Sequence, residues 1–164
     1  MLIRECTADD LEPLEQISPS PVNREHARRL ERQLAGAETY LVAWHDDVLA
    51  GHGAVQWQGC TDAEVRAAFP DCPEIYGLSV RPELRGRGIG TALIGAAEDR
   101  VRQRGLRWIG ISVDVDNPDA GRLYERLGYL AKLRYRGVWS YLDAAGTKHV
   151  VDEPAIFMVK DLPS

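Results

Sequence analysis

From Trp108 to Val115, apolar Ile109, Ile111, Val113 and Val115 alternate with Gly110, Ser112 and Asp114, and this period of two predicts a strand with two distinguishable faces. Leu2 to Cys6, Tyr40 to Trp44, Val48 to Gln58 and Glu74 to Val80 read as further strands, the second and third joined by a hairpin signal at His45-Asp46-Asp47. Gly51 and Gly53 within the third predict a bulge or a close backbone approach. The period becomes helical after Gly88, where Ile89, Leu93, Ala96 or Ala97 and Val101 share a face. Glu98, Asp99, Arg102 and Gln103 take the other face, and Gly105 supplies the C-cap.

Shorter helical patterns fill the rest. Leu11, Leu14 and Ile17 follow a capping-box pair, Thr7 and Asp10, and stop at Pro19 and Pro21. Asn23 is the expected cap of a charged helix from Arg24 to Leu34, which Gly36 ends. Asn117 caps a third short helix with Pro118 at its first position; Ala120, Leu123, Tyr124 and Leu127 share a face, and Gly128 closes it. Residues 59–73 read as a long polar loop with a helical turn around Glu64 to Phe69. Tyr129 to Leu162 reads as two strands about a turn at Asp143 to Gly146. The resulting order is β-α-α-β-β-β-α-β-α-β-β, an α/β chain.

Length and composition narrow the class. The chain has 164 residues, 45% hydrophobic and 27% charged, an ordinary globular mix that predicts one domain over residues 1–164. A net charge of −5 without a long basic run argues against nucleic-acid binding and is compatible with a cationic substrate. Apolar runs fall short of the ~20 residues that a membrane-spanning helix needs, and the first residues lack a signal-peptide core, so no membrane partner is expected. Three cysteines, Cys6, Cys60 and Cys72, form no Cys-x-x-Cys pair, which predicts reduced thiols and a cytoplasmic location. His26, His45, His52 and His149 lack metal-ligand spacing, so no metal is expected.

The chemistry concentrates between Val80 and Leu93. Arg81, Arg85 and Arg87 surround Gly86, Gly88 and Gly90 where a strand runs into a helix start. Free N–H groups, the positive end of the helix dipole and glycines that let a backbone approach closely make a pocket for a phosphate-bearing anion. Charged hydrogen bonds contribute roughly 1.5–3 kcal/mol each, so a few would anchor a diphosphate. The mononucleotide pattern fails because Thr91 and Ala92 follow Gly90. The dinucleotide pattern fails because Thr91 or Leu93 stands where its third glycine belongs.

What remains, Arg85-x-x-Gly88-x-Gly90 after a strand ending Leu78-Ser79-Val80 and before Ile89-Gly90-Thr91-Ala92-Leu93, resembles the acyl-CoA motif of the GNAT superfamily of N-acetyltransferases. Downstream, Asn117-Pro-Asp-Ala-Gly-Arg-Leu-Tyr-Glu-Arg-Leu-Gly-Tyr129 resembles that superfamily's second signature. The resemblance spans Ile75 to Tyr129, and element order extends it over most of the chain. It implies the GNAT acyltransferase fold, an α+β arrangement with a mixed, mainly antiparallel sheet of about seven strands and helices on both faces.

The resemblance also implies direct acetyl transfer from acetyl-CoA, as co-substrate, to a primary amine of a small molecule or peptide. Leu78, Ser79 and Val80 would hold the pantetheine and thioester; Arg85, Gly86, Arg87, Gly88, Ile89, Gly90 and Thr91 the pyrophosphate; and Asn117, Ala120 and Tyr124 the arm near the sulfur. Alkyl amines are mostly protonated at neutral pH, by comparison with lysine near 10.4, so the acceptor needs a base. Glu74 is the candidate: strand alternation would put Glu74, Tyr76 and Leu78 on one face. A phenol suits the departing thiolate, which assigns Tyr124 as proton donor. Tyr76, Trp57, Trp139 and Tyr141 are candidates for the acceptor pocket. Rival functions on the same fold are a non-catalytic acyl-CoA-binding sensor and a protein N-terminal or lysine acetyltransferase. A homodimer is compatible with the resemblance.

Overall fold

Hydrophobic alternation and helical periodicity resolve, in the computed structural model, into twelve labelled elements among the described residues 1–163. They are β1 (Leu2–Glu5), α1 (Leu11–Ile17), α2 (Glu25–Leu34), β2 (Glu38–His45), β3 (Val48–Gln56), α3 (Ala63–Ala68), β4 (Glu74–Val80), α4 (Ile89–Gln103), β5 (Trp108–Asp114), α5 (Pro118–Arg126), β6 (Leu130–Leu142) and β7 (Lys148–Asp161). The strands form one sheet in the order β1-β2-β3-β4-β5-β7-β6. Neighbours run antiparallel except β4 and β5.

Each sheet face is covered. β2 shows why both must be: Leu41 and Ala43 join a cluster with Leu93, Ile94, Ala97 and Val101 of α4, while Tyr40 and Val42 join Leu14 and Leu30 of α1 and α2. Burying such side chains stabilises by about 1.5–3 kcal/mol each. The β2–β3 hairpin turns through Asp46 (φ 49) and Asp47 (φ 63), in a left-handed region that aspartate tolerates.

The helical turn expected around Glu64 to Phe69 is α3, which Asp62 caps by accepting the Val65 N–H at 3.0 Å, while Cys60, Val65 and Cys72 pack with Phe157 and Val159. Another expectation changes. Asn23 does not cap α2; the N-cap is Arg24 (φ 51). The Asn23 side chain instead accepts the Leu142 N–H at 3.3 Å, a donor left free because β6 is an edge strand.

Two irregularities of β4 create the site. Along β3, His52 to Ala54 is two steps, but its partners Ser79 to Tyr76 span three, and Gly77 (φ +63) falls within the extra step. The bulge therefore breaks the expected alternation. Tyr76 packs with the α1/α2 cluster, whereas Leu78 packs with the α4 cluster on the opposite face. Then β4 leaves its parallel neighbour, for only Glu74 and Ile75 pair with β5, at Gly110 and Ile111.

Candidate active site

Where β4 has left β5, a cleft of about 480 Å³ opens on the α4 side. Leu78, Ser79, Val80, Arg85, Gly86, Gly88, Ile89, Gly90, Thr91 and Ala120 all line it, so ten residues read from the two motifs come together. Leu84, Leu123 and Arg126 line it too and were not foreseen; Leu123 shares the helical face of Ala120, which was the available signal. Arg87 is exposed and does not line the cleft, and Arg81 is turned back, its Nε donating to the Leu49 carbonyl at 2.6 Å. Arg85 stays beside the cleft with its Nε on the Val80 carbonyl.

The glycines explain the cleft's shape. Gly86 (φ +77) and Gly88 (φ +80) occupy the left-handed region, and a Cβ built on either meets nothing within 4 Å. Missing side chains thus leave room beside the N-terminus of α4, whose first N–H groups have no intrahelical acceptor. A diphosphate fits this cradle by the chemistry of its donors.

On the opposite face, Glu74 is buried, with 6% exposure. Ser112 Oγ donates to its Oε2 at 3.3 Å, and the Tyr135 hydroxyl donates to Ser112 Oγ at 2.6 Å. Burial pushes the Glu74 carboxyl above the usual carboxylate range, while bonds from Cys60 and Ser112 pull it back. The result is a stronger proton acceptor than an exposed glutamate, connected to a chain of two hydroxyls. Neither Ser112 nor Tyr135 was singled out from sequence; Ser112 stood only as the polar member of an alternating strand.

Glu74 also borders a cavity of about 520 Å³ with Arg29, Tyr76, Gly77, Trp139 and Tyr141. Consecutive residues of β4 thus face different spaces, Gly77 this cavity and Leu78 the cleft. Tyr76, Trp139 and Tyr141, the candidates for an acceptor pocket, share this cavity. Trp57 does not: it packs toward the α4 cluster, with the Arg104 guanidinium 3.6 Å above its ring.

Tyr124 and Asn117 line a third space of about 270 Å³ with Ser112, Ala120, Tyr135 and Trp139. Ala120 borders both this space and the cleft, and Trp139 borders this space and the Glu74 cavity. Burial raises the Tyr124 pKa, so its hydroxyl keeps its proton at neutral pH. Asn117 Oδ1 is committed to capping α5, accepting the Ala120 N–H at 3.3 Å. The thiols are poor nucleophiles, since burial pushes Cys6 and Cys72 up to about 12 and Cys60 up to about 11.

The model of the Acetyltransferase (GNAT) family matches residues 4–129. Among curated proteins, an uncharacterized N-acetyltransferase of Methanocaldococcus jannaschii is 44% identical over 64 residues, 39% of this chain and 28% of that protein. The mycothiol acetyltransferase of Nocardiopsis dassonvillei is 46% identical over 56 residues, 34% of this chain and 17% of that protein. The matches therefore span less than a third of those relatives' length. Among solved structures, the ribosomal-protein-alanine N-acetyltransferase of Brucella melitensis superposes with a TM-score of 0.73 at 20% identity, over 99% of this chain and 100% of that one. A Salmonella typhimurium protein solved with its cofactor acetyl-CoA gives a TM-score of 0.71 at 20% identity, over 100% of this chain and 95% of that one. At such identities the superpositions speak for a common fold.

Proposed function

The chain belongs to the GNAT acetyltransferase family, and from that premise we propose that it is an acyltransferase acting as a single domain, moving an acetyl group from acetyl-CoA directly to a primary amine. The observation that carries this reading is the parting of β4 from β5 after Ile75, with the glycine-lined cleft on one side and the Glu74 cavity on the other.

When bound, acetyl-CoA supplies the acetyl group as a thioester. Backbone N–H groups at Gly86, Gly88 and Gly90 bind the pyrophosphate in the cradle, and that of Val80, on the strand edge that β5 has left, binds the pantetheine arm. Glu74 takes one proton from the acceptor nitrogen as that nitrogen bonds to the acetyl carbon. Its stronger basicity suits the task, and the Ser112–Tyr135 chain orients it. As the carbon–sulfur bond breaks, Tyr124 gives its proton to the sulfur and recovers one from solvent. The backbone N–H of Leu78 holds the carbonyl oxygen where negative charge develops. The net change is one amine and one thioester converted to one amide and one thiol.

Acetyl-CoA should raise the melting temperature of the protein, and an amine panel scored by released thiol should contain at least one turned-over compound. An unchanged melting temperature at millimolar acetyl-CoA would sink the assignment. A shift without turnover of any amine would favour the sensor alternative.

A further inference from the structure

Arg29 stands in α2 with its side chain only 11% exposed. Its Nε donates to Glu25 Oε1 at 3.1 Å, but that same oxygen also takes Arg32 Nη2 at 3.2 Å. Arg29 Nη1 is sealed from solvent and has no hydrogen-bond partner among the described residues. A buried charged donor left unmade is costly, so its presence needs a reason.

The surroundings hold the guanidinium in place without satisfying it. It lies 5.4 Å from the Tyr40 ring centre and 5.0 Å from that of Tyr76. Its third neighbour is the β4 bulge. A Cβ on Gly77 would fall 2.7 Å from Nη1 and 2.7 Å from Nη2, and the positive φ there already disfavours a side chain. Position 77 thus brings the guanidinium against the strand, one residue before Leu78, whose backbone is assigned to the thioester. Arg29 also lines the 520 Å³ cavity that Glu74 borders from three residues before Gly77. One wall therefore offers a cation against Gly77 and a basic carboxylate three residues before it on the same strand.

We propose that the acceptor is a free amino acid, whose carboxylate pairs with the Arg29 guanidinium while its amine faces Glu74. A carboxylate matches the fork of a guanidinium, and Arg29 is the cation among the residues that line this cavity. An amino acid carries both groups on one small molecule, and Arg29 and Glu74 line one cavity. This acceptor class rests on the assignment of the cavity to acceptor binding.

The test is a panel of amino acids, each with its carboxamide, scored by released CoA thiol on the full chain and on Arg29→Gln and Arg29→Lys. In the wild type at least one amino acid should exceed its amide by about tenfold or more in kcat/KM. Arg29→Gln should collapse that ratio through the KM of the acid, Arg29→Lys should restore part of it, and the acetyl-CoA melting shift of both variants should match the wild type. Amides that match their acids in the wild type overturn the proposal whether or not the variants fold. So does a preference for acids that survives in Arg29→Gln. If no amino acid is acetylated, ligand-observed NMR of the same panel with CoA present decides, and absence of binding overturns the proposal. Absence of any acetyl-CoA shift in the wild type would instead strike the acetyltransferase reading itself.

Discussion

Ser112 Oγ donates to Glu74 Oε2 at 3.3 Å across the one parallel junction of the sheet, at the point where β4 and β5 part. That bond ties the proposed base to the strand it is leaving. Glu74→Gln keeps the shape and an acceptor for Ser112 but removes the base. We expect kcat to fall by about 100-fold or more, with acetyl-CoA affinity unchanged.

Stability should move the other way. The folded Glu74 carboxyl is raised by burial, so the folded state holds its proton more tightly than the unfolded state. Its contribution is present below the unfolded pKa and lost as pH rises through the folded one. The Glu74→Gln protein should therefore melt higher than the wild type near neutral pH, and the difference should shrink near pH ~4. A lower melting temperature at neutral pH would show that hydrogen bonding, rather than desolvation, governs the site.

Tyr124→Phe removes the proposed proton donor while the ring keeps its edge contact with Tyr129, 6.3 Å between centroids. Steady-state kinetics should show kcat reduced by about 100-fold with little change in the KM for acetyl-CoA. Burial holds the hydroxyl protonated over the neutral range, so the wild-type kcat should not titrate with this group near pH ~7. A variant retaining full kcat would move the proton-donating role elsewhere.

The cleft was legible in the sequence because its chemistry is contiguous. Strand, glycines and helix start follow one another from Leu78 to Thr91, and each carries a local signal. Glu74 and Tyr124 could be named for the same reason, being fixed to motif positions. The hydroxyl chain through Ser112 and Tyr135 could not, since it joins β4, β5 and β6 through sheet pairing across 61 residues of chain from Glu74 to Tyr135. The bulge at Gly77 was hidden as well. Glycines at 51 and 53 marked the right pair of strands, but the extra residue lies in the partner strand, and it reverses the side on which Leu78 points. Arg29 carried no signal because a charged residue on a charged helix usually meets solvent.

We expect His52 to limit the stability of the fold in acid. It is buried beside His26 and Tyr40, and burial first, with the charges of Arg29 and His26, pushes its pKa down to about 3. The folded state keeps the ring neutral while the unfolded chain takes up a proton below about 6.5. Stability should thus fall as pH drops through that window. In melting scans from about pH 7.5 to pH 4.5, His52→Gln should lose less stability than the wild type. Parallel slopes would exclude His52 as the origin of the acid limb.

Gly88 and Gly90 separate folding from binding. Gly88 has φ +80 with open space around its absent Cβ, so Gly88→Ala meets no clash but forces a left-handed alanine, a cost of about 1–2 kcal/mol. Gly90 lies inside α4, and a Cβ there finds only Val80 Cγ2 at an ordinary 3.8 Å. Gly90→Ala should therefore fold as well as the wild type, or better by up to about 1 kcal/mol through helix propensity. Both positions line the cleft, so in each the new methyl occupies room in the cradle proposed to hold the pyrophosphate. Calorimetric titration with acetyl-CoA should show affinity reduced by about tenfold or more in both variants, whatever their melting temperatures. Wild-type affinity in the Gly90→Ala protein would remove the pyrophosphate from the start of α4.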